Sequence, residues 1–553
     1  MNTTATKSPS AQGSALMTVV VIGGIVCVIT AAMLLVSSNS LKNAYGRTDW
    51  NKAFFSAESA VVWAAQKAFD SGQAAGTTRT NSTALGTLPL SALVSITNDP
   101  AFRGAWVKVQ QPATSMNNVF IITASARIND KIRTIQTQIT TRPPSLVFDY
   151  EYFLNNWGWW WGSSITGQGA QRANWDFDFR SGPTVNGAIY AANEVQQNEV
   201  AIQNISTMPF GGLAGSDITN LVHQGAPRVT MPNLLDFSNY IATAMANTSS
   251  NGIWLGTTQF VLGVQNDASK PGIYLAGTAA KPVTIKGTVV IPGDVVIQGK
   301  VTGQGTLYVG GNLYIANNTT YANGPDFSSP PETMVVTNRD NWVQQNIAKD
   351  LVAYAVKGSI FAGDVTDSDW VSKCYNYPGS GLAVVGDESH LGMDGIAGTG
   401  DDNIPFLHPD GTTSTWYDDD GNGLVNANYN YSRDINMDNT RAAKILGYPT
   451  DGSGNVVAFN QVATDNMGTL EGIFYTDHAA AMRLAQSTST FHGVIVSRNE
   501  QIIFQSQLTF IYDSRVHSRY SNNPNRFINL GLPWGKPLAV NSFVELPPDA
   551  TGL

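Results

Sequence analysis

Residues 282–317 read PVTIKGTVVIPGDVVIQGKVTGQGTLYVGGNLYIAN. Apolar, mostly β-branched runs of three or four residues stop at Gly287, Gly293, Gly299, Gly303 and Gly310 and then begin again. Valine and isoleucine favour a pleated strand, and glycine admits the tight turn that ends it. The strand-turn unit returns every six to ten residues, which predicts short parallel strands stacked coil upon coil, a β-solenoid. A β-sandwich is the alternative, and the shortness of the runs and their glycine turns favour the solenoid. Weaker copies occur at 184–190 (TVNGAIY) and 273–277 (IYLAG). The ends of such a stack expose strand edges and need covering. The N-terminal region and the C-terminal segment are the expected caps.

The rest of the chain fits a mainly β protein with several units. It has 553 residues, 52 of them glycine and 25 proline, and only 13% are charged. An apolar share of 42% excludes disorder by excess charge. The net charge is −9 and no Lys/Arg run is present, so a nucleic-acid partner is not expected. Cys27 and Cys374 are too distant in sequence and context to suggest a disulfide framework.

The N-terminus is of another kind. Residues 15–36, ALMTVVVIGGIVCVITAAMLLV, carry no charge and are long enough to cross a bilayer as a helix. Residues 37–70 contain no proline and one glycine, Gly46. Phe55, Val62 and Phe69 recur every seven residues beside Ala57, Val61, Ala65 and Ala68, opposite Lys52, Ser59, Gln66 and Asp70. That spacing predicts one continuous helix, apolar all round at first and then striped for packing on a globular unit.

Gly13-Ser14-Ala15-Leu16, the apolar run and Ala53-Phe54-Phe55-Ser56-Ala57-Glu58-Ser59-Ala60 together resemble type IV pilins and pseudopilins, and more closely the PilX class of minor pilus-assembly proteins. The resemblance covers residues 1 to about 70. It implies a leader (1–13) removed by a prepilin peptidase between Gly13 and Ser14. It also implies residence in the inner membrane before assembly, and then a cell-surface filament built with other pilin-like subunits through the N-terminal helix. Two positions depart from the pattern. Ser14 stands where pilins usually have Phe, and Thr18 where most have Glu. In pilins that Glu is thought to meet the N-terminal ammonium of a neighbour, and a buried ammonium without a partner is costly. A subunit lacking it, like the tip pseudopilins of type II secretion, suits a filament tip. A plain membrane anchor is the alternative.

Alternating residues at 105–109 and in the runs 119–128 and 131–139, joined by Asn129-Asp130, predict an antiparallel sheet packed on the helix, as the pilin resemblance also implies. Arg142-Pro143-Pro144-Ser145 reads as a linker. The expected class is therefore α+β to mainly β. A long helix (14–70) packs on a small sheet (71–145), followed by a β-solenoid (146–320), an Asp/Gly/Asn-rich insertion (321–470), and closing strands with a proline-rich tail lying over the surface (471–553).

Three features carry candidate chemistry. Trp157, Trp159, Trp160 and Trp161 in WGWWWG suit either a platform for surface glycans or a buried aromatic plug or subunit contact. Asp418, Asp420 and Asn422 with Gly421 and Gly423 match the first half of a Ca²⁺ loop, although position 12 is Tyr429 rather than an acid. Asp401 and Asp402 suggest a second Ca²⁺ loop. The six histidines show no metal-ligand spacing, and there is no nucleophile elbow or phosphate loop. Asp513, Arg515 and His517 alternate, and a salt-bridged structural row explains them better than catalysis does. The expectation is a non-enzymatic surface protein, a minor or tip pilin presenting a β-helix for filament priming or adhesion. The alternatives are a major filament subunit and a membrane-anchored enzyme acting on polysaccharide.

Overall fold

The computed structural model describes residues 11–75, 93–95, 104–110, 119–141, 143–155, 158–197, 200–201, 221–234, 236–246, 248–375, 406–407, 413–414, 437–498, 500–505, 507–521, 523, 525–534 and 538–547. A long N-terminal helix precedes a small antiparallel sheet and a large β-rich domain.

Helix α1 runs Ala11–Ala75 without a break, about 98 Å at the standard rise. Where its first half is described, from residue 25 onward, it is exposed, Ile25, Val28, Leu34, Leu35 and Val36 included. The Thr30 hydroxyl donates back to the Val26 carbonyl (2.7 Å), which satisfies a polar atom inside the apolar stretch. The second half packs on the sheet through small residues. Ala53, Ala57, Ala60 and Ala64 are fully buried against Val107, Phe120, Ile122, Ile135 and Ile139. The heptad expectation for this half needs correcting. Phe55 and Val62 are 62% and 63% exposed and face away from the sheet. The alanines take the buried face because a side chain of one methyl lets the helix backbone approach the strands closely.

The small sheet has the order Leu93–Ser95, Ala105–Gln110, Val119–Ile128, Lys131–Thr141, Leu538–Leu546, antiparallel throughout. Its fifth strand is the end of the chain. The expected surface tail is therefore corrected, since residues 538–546 pair along Lys131–Thr141 and Phe543 meets Phe54 of α1 edge to face. The alternation of Leu538, Val540, Ser542 and Val544 was the available signal. Pro144 bridges Trp534, and Ser145 N–H donates to the Pro533 carbonyl (3.0 Å). The chain thus enters and leaves the large domain side by side.

In that domain the strands of 282–317 lie in parallel ladders. Val289 sits opposite Leu307 and Val295 opposite Leu313, each partner 18 residues on. One ladder runs Gly272–Gly277, Val295–Thr302, Leu313–Tyr321, Ile360–Ala362, Ala479–Arg483, Glu500–Phe504. Another runs Val283–Ile291, Gln304–Val309, Leu351–Val356, Thr469–Thr476, Ser489–Ser497. Inward residues such as Ile285, Val289, Ile297, Leu307, Ile315 and Phe474 are fully buried in one core. Each contributes up to about 1.5–3 kcal/mol. Glycine marks the places where backbones touch: a Cβ on Gly299 (φ +83°) would lie 2.0 Å from the Gly277 carbonyl oxygen.

The order of the ladders departs from the order of the chain. Ser489–Ser497 pairs onward with Tyr152–Leu154, and Leu508–Tyr512 with Ile165–Gln168. The domain's first strands therefore stack beyond its last ones, and the C-terminal strands lie inside the stack instead of capping it. The ends are closed by antiparallel pairings. The hairpin Gly252–Leu255/Thr258–Leu262 lies on Val283–Ile291, and Val200–Ala201 lies on Val195–Gln197. Reversing the strand direction at an end stops the parallel repeat from continuing into another chain.

Segments between the strands cover the outer faces. Leu234 and helix α2 (Ser238–Ala246) lie over Tyr308, with the rings of Tyr240 and Tyr308 stacked at 3.9 Å. Helix α3 (Val336–Asn346) buries Trp342 and Val343 against Phe327, Ile511 and Tyr520. Cys27 is exposed on α1 and Cys374 is buried in the β-rich domain, and neither is bonded.

Candidate binding cleft

The seam between the domain's first and last strands is incomplete. The two neighbouring ladders run across it without interruption. The ladder that begins at Gly272–Gly277 stops at Glu500–Phe504, and the next strand on that side, Gly158–Trp161, pairs only with Phe177–Arg180 among the described residues. An open cleft lies there, lined by Trp159, Trp160, Trp161, Tyr152 and Phe510 with Gln501 among them.

The strand period explains the different settings of the tryptophans. Gly158 and Trp160 point inward, Trp159 and Trp161 outward. Trp160 is 3% exposed and stacks on Phe510 (5.3 Å between centroids), with Tyr152 edge-on at 5.7 Å. Trp159 is half-buried and Trp161 is 48% exposed. The Trp161 ring is held flat, its Nε1 donating to Ser181 Oγ (3.1 Å) with Arg180 over its face. Arg180 is itself paired to buried Asp178 (2.7 Å). Gln501, 4% exposed, donates from Nε2 to the Phe153 carbonyl (2.9 Å), and its Oε1 has no hydrogen bond. Behind Trp160, both side-chain polar atoms of fully buried Gln171 also lack partners. Trp157 lies outside the described residues, as do both Ca²⁺ candidates, Asp418, Asp420 and Asn422 and Asp401 and Asp402. Gly13 and Ser14 fall in the first turns of α1, where only the backbone is described.

The described lining residues of the cleft include no carboxylate, imidazole or thiol. The titratable groups singled out in the sequence lie elsewhere. Of two adjacent residues, Asp477 pairs with Arg498 (2.9 Å), while His478 Nδ1 bonds Ser359 Oγ (2.8 Å). Residues 514–516 form a 3-10 turn, so Asp513, Arg515 and His517 do not share a strand face. Asp513 and Arg515 form a buried pair at 2.6 Å, and His517 faces Asp149 at 3.4 Å. Burial pushes the Asp149 carboxyl up and the His517 imidazole down, so both lean toward their neutral forms. Sequence reasoning missed Glu151. It is wholly buried beside Gly169 and Tyr512, and burial holds its carboxyl well above the ordinary range. Its position before Tyr-Phe-Leu in a strand gave no sign that both faces would be covered. Gln501 was also missed, because nothing in a run of apolar strand residues marks which polar one faces a gap.

No protein-family model matches the chain, and no curated protein matches it. Among solved structures it is similar to the competence-associated pilin ComZ from Thermus thermophilus. The identity is 9% and the TM-score 0.26, with 90% of this chain and 98% of that one covered. A TM-score of that size does not establish a common fold.

Proposed function

We propose that the protein is a pilin-like subunit of a cell-surface filament, in which the exposed half of α1 lies first in the membrane and then among the helices of neighbouring subunits. The observation that carries this reading is the two-part helix. It has an apolar half that is exposed among the described residues, continuous with a half bedded through alanines on a small antiparallel sheet. Exposed apolar surface of that extent needs lipid or other helices. The outward line of Tyr45, Phe55 and Val62 extends the apolar surface past the membrane-length stretch, as a helix packed among others requires. In this reading the parallel ladders are coils of a β-helix carried outward by the sheet, and the strands at 131–141 and 538–546 are its two stalks. Thr18 in place of Glu favours a minor or tip position over the shaft.

Mass spectrometry of filaments sheared from cells tests the proposal. Processing at Ser14 and low abundance relative to the main subunit are expected. High abundance would make it a shaft subunit. An intact Met1, or absence from filaments, would overturn the filament reading. Phe55→Ser with Val62→Ser should leave the fold intact and reduce incorporation, since both side chains face away from the sheet.

A further inference from the structure

We infer that the seam cleft is a saccharide-binding site. The proposal concerns the β-rich domain alone and holds whether or not α1 enters a filament. Trp159 and Trp161 are two residues apart on one strand, their backbones about 7 Å from each other, and both side chains leave it on the outward side. Indole rings present a flat apolar face and keep a polar edge, the pairing that suits a sugar ring with its C–H face on one side and hydroxyls at its rim. The Trp161 ring is already fixed by Ser181 and Arg180, so little side-chain freedom is lost when a ligand binds. Gln501 supplies the polar element at the floor. Its Nε2 is held by the Phe153 carbonyl (2.9 Å), which fixes the floor beneath the rings.

Other occupants fit less well. A peptide strand inserted into the broken ladder would need about 4.8 Å on each side. Tyr152–Leu154 is already paired with Ser489–Ser497, and Gln501 reaches across to Phe153, so the two sides cannot part that far. The Arg180 charge is matched by Asp178 close by, which favours an uncharged sugar over an acidic one.

The full-length protein in detergent can be titrated with soluble cello-, chito-, manno- and galacto-oligosaccharides, following tryptophan emission and binding heat. At least one series should bind saturably and shift the emission. Trp161→Ala should weaken that binding roughly tenfold or more, the ratio that 1.4 kcal/mol represents. Trp159→Ala should also weaken it while the circular dichroism spectrum stays unchanged. Trp161→Ala is the primary variant because the exposed ring can be removed without opening the core. Failure of all four series to bind at 10 mM would overturn the proposal, as would binding that Trp161→Ala leaves unchanged.

Discussion

Replacing Asp477 by alanine tests how the β-rich domain holds its outer covering. Asp477 is 0% and Arg498 3% exposed, and their charged atoms are 2.9 Å apart. The other Asp477 oxygen accepts from Leu234 N–H, while Arg498 Nη2 and the Tyr475 hydroxyl both donate to the Pro232 carbonyl. One carboxylate therefore neutralises a buried guanidinium and pins the segment leading into α2. Removing one member of a buried pair costs about 3–5 kcal/mol, because the remaining charge stays desolvated. The lost acceptor for Leu234 is part of that cost. Against a total stability of about 5–15 kcal/mol, the change is large. Urea unfolding of the full chain in detergent, followed by near-ultraviolet circular dichroism, should show this loss for Asp477→Ala. Limited proteolysis should cut earlier between residues 229 and 236. The double variant Asp477→Leu/Arg498→Met should recover most of the loss, since an apolar pair removes the charge that would otherwise be stranded. A loss below about 1 kcal/mol for Asp477→Ala with proteolysis unchanged would refute the reasoning, because it would mean that water reaches the guanidinium.

Other measurements probe the stack and its acids. Burial raises the folded-state value of Glu151 above its ordinary 4.5, so its favourable contribution is full below about pH 4.5 and is lost as pH rises through the raised value. Glu151→Gln should be more stable than the parent at pH 8, with the difference shrinking toward pH 4 in parallel urea titrations; a constant difference would count against a buried titrating acid. Gly299→Ala should cost more than Gly256→Ala. Both have positive φ, at a strain of about 1–2 kcal/mol, but only Gly299 would drive a methyl into a neighbouring backbone. Equal thermal shifts for the two would show that the stack yields at that corner. Ending the chain at residue 505 removes Leu508–Tyr512, the partner of Ile165–Gln168. Protease protection of residues 146–197 should then fall, although that segment is intact; unchanged protection would mean that it folds independently.

The sequence was enough to identify α1, since charge-free length and the lack of breakers act locally. It was also enough for the ladders of 282–317, because strand and turn propensities repeat there within each coil. The Asn129-Asp130 hairpin was legible for the same reason, with Asn129 in the left-handed region at φ +53°. What the local pattern could not settle was which of two apolar stripes on α1 goes inward. Phe55 and Val62 are more hydrophobic than the alanines beside them, yet closeness of approach to the sheet decided for the alanines. The tryptophan run was visible as a feature. That Trp160 fills the core while Trp161 stays open depends on strand phase, and that a cleft lies beside them depends on Glu500–Phe504, more than 300 residues away.

The decisive long-range facts are that 152–154 stacks on 495–497 and that 538–546 closes the small sheet. Sequence by itself determined α1, the hairpin at Asn129-Asp130 and the strand repeats of 282–317, because these follow from residue type and spacing. Tertiary structure alone decided which edges meet, because every parallel strand offers the same backbone donors and acceptors. The choice among such edges is made by the fit of side chains on the strands above and below.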